Sequence, residues 1–335
     1  MSAQPTLQRV ADGLVPSYVR AHDPRELLGP RTLAVFGFGA SAPADFGDPR
    51  YLRVSLEPLE PLEANHCFEV WTAEQPVQLW QEGALRGARS GDLCFGWLQQ
   101  DESADGPTQA AERAYAQLAA HCRHSPQPHL LRVWNYLHGI TRGEHDAERY
   151  RQFCVGRARA LTLPDAALPA ATAIGHLQPQ PLLQVYWLSA RVAGTPLENP
   201  RQLPAYRYPR RYGPRPPSFA RAMLADASTR LPLMLSGTAA VVGHDSLHPG
   251  SVGAQLCETF RNFESLLAAA HRQRPELPGQ FGARSLLKVY LRDRSALDEA
   301  RRVLDQLLPA DVPRLILQGE VCRRELTVEI DGFHG

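Results

Sequence analysis

The sequence predicts an α+β fold of two tandem units, each a mixed β-sheet with its helices packed on one face. Two observations carry this. The order strand, helix, strand, helix, strand, strand occurs over residues 91–192 and again within 223–335. The two passages also match locally: Leu130, Leu131, Arg132, Val133 and Trp134 align with Leu286, Leu287, Lys288, Val289 and Tyr290, and Leu183, Gln184 and Val185 with Leu326, Thr327 and Val328. A third observation sets residues 1–90 apart. They hold short strand candidates broken by Pro and Gly, with no strong helix beyond residue 30.

Taken in order, the N-terminal strands are TLAVFGFGA, YLRVSLEPL and HCFEVWTA, a small β-rich unit packed on the first repeat. The first repeat runs DLCFGWLQQ (strand), TQAAERAYAQLAAHC (helix), HLLRVWNYL (strand), DAERYRQFCVGRARAL (helix), ATAIGH and LLQVYWLSAR (strands). A Pro-, Tyr- and Arg-rich connector over 193–222 follows, too long for an ordinary turn. The second repeat reads LPLMLSGTAAVVG, helix GAQLCETFRNFESLLAAA, strand SLLKVYLRD, helix ALDEARRVLDQLL, RLILQGEV and a last strand RELTVEIDG. Leu256, Phe260, Phe263, Leu266 and Leu267 recur at helical spacing. A sheet with helices on one face needs a partner for the other, and two units in one chain supply each other's.

Composition narrows the function classes. With 36 basic and 35 acidic residues the chain has no bulk field for nucleic acid. Its longest apolar runs fall far short of the roughly 20 residues of a membrane span, and the N-terminus lacks a basic segment followed by an apolar one. Six cysteines show no CxxC pair, which reads as free thiols in a cytoplasmic protein. His121, His124 and His129, like His244 and His248, lack acidic partners, so no metal site is expected. The stretch FGFGAS lacks the rest of a phosphate loop, and no cofactor is expected. In VEIDG, Glu329 alternates with Val328 and Ile330; on alternation alone it reads as an exposed acid on a half-buried strand.

Five stretches carry a resemblance: RVWNYLHGI (132–140), ERYRQFCVGR (148–157), RYPRRYGPRPPSFARA (207–222), SGTAAVVGHDS (236–246) and VCRRELTVEI (321–330). They are similar to the chorismatases, and the repeat resembles the Rid (YjgF-like) fold shared with the small trimeric chorismate mutase. The likeness covers roughly residues 90–331 and implies tandem Rid/YjgF units in a pseudo-trimer-like arrangement around clefts for small carboxylates. The implied substrate is chorismate, its enolpyruvyl group leaving as pyruvate. Such a reaction needs a protonated carboxylic acid and cations for two carboxylates. The resemblance makes Glu329 that acid. It also puts Cys322, seven residues earlier, at the position of a cysteine found in the branch forming 3-hydroxybenzoate, in some cases with 4-hydroxybenzoate.

For the carboxylates, residues 199–225 offer six arginines and three tyrosines with no acid. Arg215, between prolines, is the first choice, with Tyr212 beside it; Arg157 and Tyr150 come from the other repeat, and Arg314 is a weaker candidate. Gly237 would let a ligand approach the backbone, and Ala240 (or Ala239) would limit the water beside the ring. The alternatives are hydrolysis to the dihydroxy-cyclohexadiene acid, a Rid-type imine deaminase using Arg314 with Glu329, and a non-catalytic small-molecule module. A monomer or a small homo-oligomer, a trimer included, fits the resemblance.

Overall fold

A computed structural model describes residues 13–60 and 66–335. Of the N-terminal unit expected over 1–90, residues 1–12 and 61–65 lie outside the described ones. This unit contributes β1 (Leu14–Ala21), β2 (Thr32–Phe38), β3 (Tyr51–Val54), β4 (Glu57–Pro58) and β5 (His66–Ala73). The hairpin β6 (Gln78–Glu82) and β7 (Leu85–Ser90) leads into the first repeat: β8 (Leu93–Asp101), α1 (Gly106–His124), β9 (His129–His138), α2 (Arg149–Ala160), β10 (Ala170–His176) and β11 (Leu182–Ala190). The connector holds β12 (Thr195–Leu197) and β13 (Ala222–Leu224). The second repeat is β14 (Leu233–Thr238), the short hairpin β15 (Val241–Val242) and β16 (Asp245–Ser246), α3 (Val252–Gln273), β17 (Leu286–Leu291), α4 (Leu297–Leu307), β18 (Arg314–Gln318), β19 (Glu320–Val321) and β20 (Val328–His334).

The repeat is complete at the level of strand order. One seven-stranded sheet runs β19-β10-β9-β11-β8-β7-β6 and the other β4-β18-β17-β20-β14-β13-β12. In each, one central pair is parallel (β9 with β10, β17 with β18) and its neighbours are antiparallel. Register confirms the sequence alignment: Trp134 lies opposite Tyr186 as Tyr290 lies opposite Glu329. The N-terminal sheet, β3-β2-β5-β1, repeats the same four-strand core with β2 and β3 parallel and its other pairs antiparallel. Three related sheets therefore share the molecule, and among the described residues only two carry long helices. Edge strands pass between them, β4 into the second sheet and β19 into the first.

Two boundaries differ from expectation. The hairpin β6–β7, counted with residues 1–90, hydrogen-bonds to β8 and so extends the first sheet. Strands β12 and β13 of the connector extend the second sheet in the same way. The last strand also starts later than RELTVEIDG suggests. Residues 322–327 form a loop held by Arg292, which donates to the carbonyls of Arg323 and Leu326 within it and of Val321 at the end of β19.

The helices lie on the outer faces. Ser251 caps α3, its hydroxyl accepting from the Ala254 amide, and Leu256, Phe260, Phe263, Leu266 and Leu267 pack on Leu235, Val289 and Ile330. α1 and α2 cover the first sheet likewise. The inner faces of all three sheets meet in one core containing Phe36, Trp71, Trp134, Tyr186, Tyr290 and Phe333.

Candidate active site

Alternation along β20 decides where Glu329 goes. Val328 and Ile330 point to α3 and α4, which sends Glu329 and Asp331 to the inner side, toward the first repeat. There a cleft of about 500 Å³ opens between the repeats. α2 contributes Tyr150, Phe153, Cys154 and Arg157; β9 and β10 contribute Asn135, Ala171 and Thr172. The connector adds Tyr208, Tyr212, Phe219 and Arg221, while the second repeat adds Gly237, Ala239, Cys322, Arg323 and Glu329.

Gly237 is there for the acid. A Cβ built on it would overlap Glu329 Oε1 and lie 3.3 Å from Thr172 Oγ1. The bare backbone makes the space the carboxyl occupies, a tighter requirement than the ligand approach expected of this glycine. No hydrogen bond to the Glu329 carboxyl occurs among the described residues. Burial pushes its pKa up to about 8, helped by the Asp331 carboxylate and opposed by Arg132, Arg221 and Arg323. A carboxyl poised there is an acid near neutral pH.

The cations fall into two kinds. Arg221 is buried, its Nη2 donating to Tyr208 Oη at 2.6 Å and to the Leu203 carbonyl at 3.0 Å. Arg323 reaches over the Tyr212 ring at 4.1 Å and donates to the His244 carbonyl at 2.8 Å. Arg157 differs. It is 6% exposed, packs over the Tyr115 ring, and its Nε and Nη2 are buried without a hydrogen-bond partner. A buried guanidinium with no carboxylate beside it is costly unless an anion completes it. Cys322 is half-buried on the cleft wall near Glu329 and Tyr150, and desolvation raises its thiol well above the ordinary range, so it is a neutral SH rather than a thiolate.

A cleft that brings a buried carboxyl together with Arg221, Arg323 and the partnerless Arg157 suits a small dianion. Comparison with known proteins agrees. The family model described as "Chorismatase FkbO/Hyg5-like, N-terminal" matches residues 69–189. A chorismatase of Streptomyces rapamycinicus is 35% identical over 275 residues, 79% of this chain and 81% of its own. The chain belongs to the chorismatase family. A 3-hydroxybenzoate synthase of Streptomyces hygroscopicus is 29% identical over 91% of this chain and 92% of its own. A crystal structure of a chorismatase superposes with a TM-score of 0.85 at 30% identity, covering 97% of this chain and 99% of that one.

Within this chorismatase fold, Glu329, Cys322, Tyr212, Arg157, Tyr150 and Gly237 line one cleft. Three expected residues do not. Arg215 is exposed; its prolines restrict the backbone but turn the side chain outward. Arg314 pairs with Asp305 of α4 at the surface, so the Arg314–Glu329 pair of a deaminase is not assembled. Ala240 is fully buried in a small core with Val321 and Leu326, and Ala239 takes its place on the cleft wall. Sequence reading counted Arg221 and Tyr208 within the connector's arginine and tyrosine group without singling them out, and passed over Arg323, Thr172 and Asn135. Arg221 lies in FARA at the connector's end, where the chain re-enters a sheet as β13.

Among the described residues no group of three His, Cys, Asp or Glu is placed to hold a metal ion, and no helix is long and apolar enough to cross a membrane.

Proposed function

We propose that this member of the chorismatase family protonates the enolpyruvyl methylene of chorismate with Glu329 and releases pyruvate with 3-hydroxybenzoate. The observation that carries the reading is a buried carboxyl, seated against Gly237 in a cleft also lined by Arg157, Arg221 and Arg323, whose burial raises its pKa. Arg157 from α2 and Arg221 from the connector take the two carboxylates; Arg157 has no protein anion among the described residues, and Tyr208 fixes Arg221.

Proton transfer to the methylene leaves an oxocarbenium carbon. The ring C–O bond then breaks, its electrons completing the keto group of pyruvate. The neighbouring ring hydroxyl bonds to the vacated carbon and gives up its proton, which balances the one Glu329 spent, and aromatisation follows. No water is consumed on this route. The neutral Cys322 thiol, with Phe153, Cys154, Phe219 and Ala239 around the cleft, favours it by limiting water beside the ring. Water attack would instead give the dihydroxy-cyclohexadiene acid.

Incubation with chorismate, with pyruvate measured enzymatically and the ring product by chromatography, tests both parts. Glu329→Gln is expected to lower the rate of pyruvate release by about 10²–10⁴-fold. A variant that kept the parent rate would remove Glu329 from the acid role. A diene acid as main product would overturn the 3-hydroxybenzoate assignment alone.

A further inference from the structure

Behind Glu329 the first and second repeats share a buried charge pair that the proton-transfer step does not touch. Asp331 follows Glu329 by two residues on β20, so both carboxyls leave the same face of the strand, roughly 7 Å apart along it. Arg132, in the middle of β9, meets Asp331 at 3.0 Å, and both side chains are fully buried. Asp331 Oδ2 also accepts from Thr172 Oγ1 at 2.7 Å and Tyr290 Oη at 2.9 Å, while Lys288 Nζ stands 3.8 Å from Oδ1. Three donors and two cations thus converge on this carboxyl group. Lys288 in turn is paired with Glu69 of the N-terminal sheet at 2.8 Å, so the four charges balance where the three sheets meet.

We infer that Asp331 and Arg132 are positioning residues that set the protonation of Glu329: the fixed Asp331 anion keeps the acid loaded, and Arg132 limits how strongly. This rests on the reading of Glu329 as the acid. Thr172 joins the pair to the site, since its hydroxyl accepts from Arg132 at 2.5 Å, donates to Asp331 and lines the cleft beside Gly237. The other charged and titratable groups facing Glu329 are Arg221 from the connector, Arg323 and Cys322 from the loop before β20, and Tyr150 from α2. The arginines among them lie on the open side, where substrate carboxylates neutralise them. The Asp331–Arg132 pair is out of a ligand's reach, so its influence persists from the empty to the filled site.

The geometry predicts a sign pattern. Activity needs the protonated acid, so kcat/KM falls as pH rises through the pKa of Glu329, near 8. Asp331→Asn removes a like charge, and the alkaline limb moves down by about one pH unit. The rate at pH 8 then drops about fivefold, and the rate at pH 6 stays nearly unchanged. Arg132→Gln moves the limb upward. The charge-balanced double variant, which leaves Lys288 with Glu69, returns the limb close to its original position.

If Asp331→Asn does not fold, Arg132→Gln and the double variant carry the test. A purely structural role predicts lower stability with an unmoved limb in every folded variant, and that result would overturn the inference. Infrared titration of the protonated-carboxyl band that Glu329→Gln lacks gives the same pKa without turnover. A band that moves as predicted while Glu329→Gln stays active would sink the acid role and leave the coupling intact. Limb and band both unmoved, with Glu329→Gln inactive, would sink only the coupling.

Discussion

The last strands of the two repeats, β11 and β20, hold the same place in sheets of the same order, yet one buries a tyrosine where the other presents an acid. Tyr186 stacks on Trp134 at 4.6 Å and 8°, sits 4.8 Å from Phe36, and its hydroxyl meets Tyr136 Oη at 3.1 Å. Glu329, opposite Tyr290, faces open volume. A Cβ on Gly237 would overlap the Glu329 carboxyl, so the second repeat seats its carboxyl against bare backbone in a cleft. The first repeat fills the corresponding place with an aromatic core. The fold is thus close to threefold in its strands, while the chemistry depends on leaving one inter-sheet seam unfilled.

The contrast is most strongly tested by emptying the filled seam. Tyr186→Ala removes a fully buried ring from among Phe36, Trp71 and Trp134, and should cost about 3–5 kcal/mol in denaturant unfolding. Turnover per folded molecule should stay within about twofold of the parent protein. A cost below about 1 kcal/mol would show that the first seam is not a packed core. Next in size is Gly237→Ala. The added methyl must displace the Glu329 carboxyl, so kcat/KM should fall about 10²-fold, the scale of a misplacement near 1 Å, with little change in the unfolding midpoint. Unchanged kinetics would mean that the carboxyl works from another position.

The same contrast explains what the sequence made legible. Strand and helix order follow from periodicity, and the register of β20 follows from Val328 and Ile330, whose apolar side chains must meet α3. Local pattern also found most of α2's contribution, because ERYRQFCVGR places Tyr150 and Arg157 two turns apart on one helical face. It could not separate Arg215 from Arg221. Both lie in one Arg-rich stretch, and the difference is that β13 draws the chain inward beside Arg221 while Arg215 remains on the outer loop. Nor could it find the pair behind the acid, for Arg132 and Asp331 are 199 residues apart and each reads alone as a polar interruption of a strand. Repeats are readable because they are local. Charge pairs that join them are not.

The smallest expected effect separates two buried arginines of the first repeat. Arg132 donates from Nη1 to the Val133 carbonyl and from Nη2 to Thr172 and Asp331, its Nε alone lacking a partner, whereas the Arg157 guanidinium has no hydrogen bond or ion pair among the described residues. If Arg157 is kept for an anion rather than for the fold, removing it relieves a desolvation cost in the empty protein and withdraws a contact from the filled one. Arg157→Met should therefore leave the unfolding free energy unchanged or slightly higher. It should raise KM for chorismate about tenfold, the equivalent of one charge-assisted hydrogen bond of roughly 1.5 kcal/mol, with kcat nearly constant. Steady-state kinetics and urea unfolding on the same preparation decide it. An unaltered KM together with a loss of stability would place Arg157 with Arg132 as part of the framework, and Arg221 and Arg323 would then have to hold both carboxylates from the second repeat's side of the cleft.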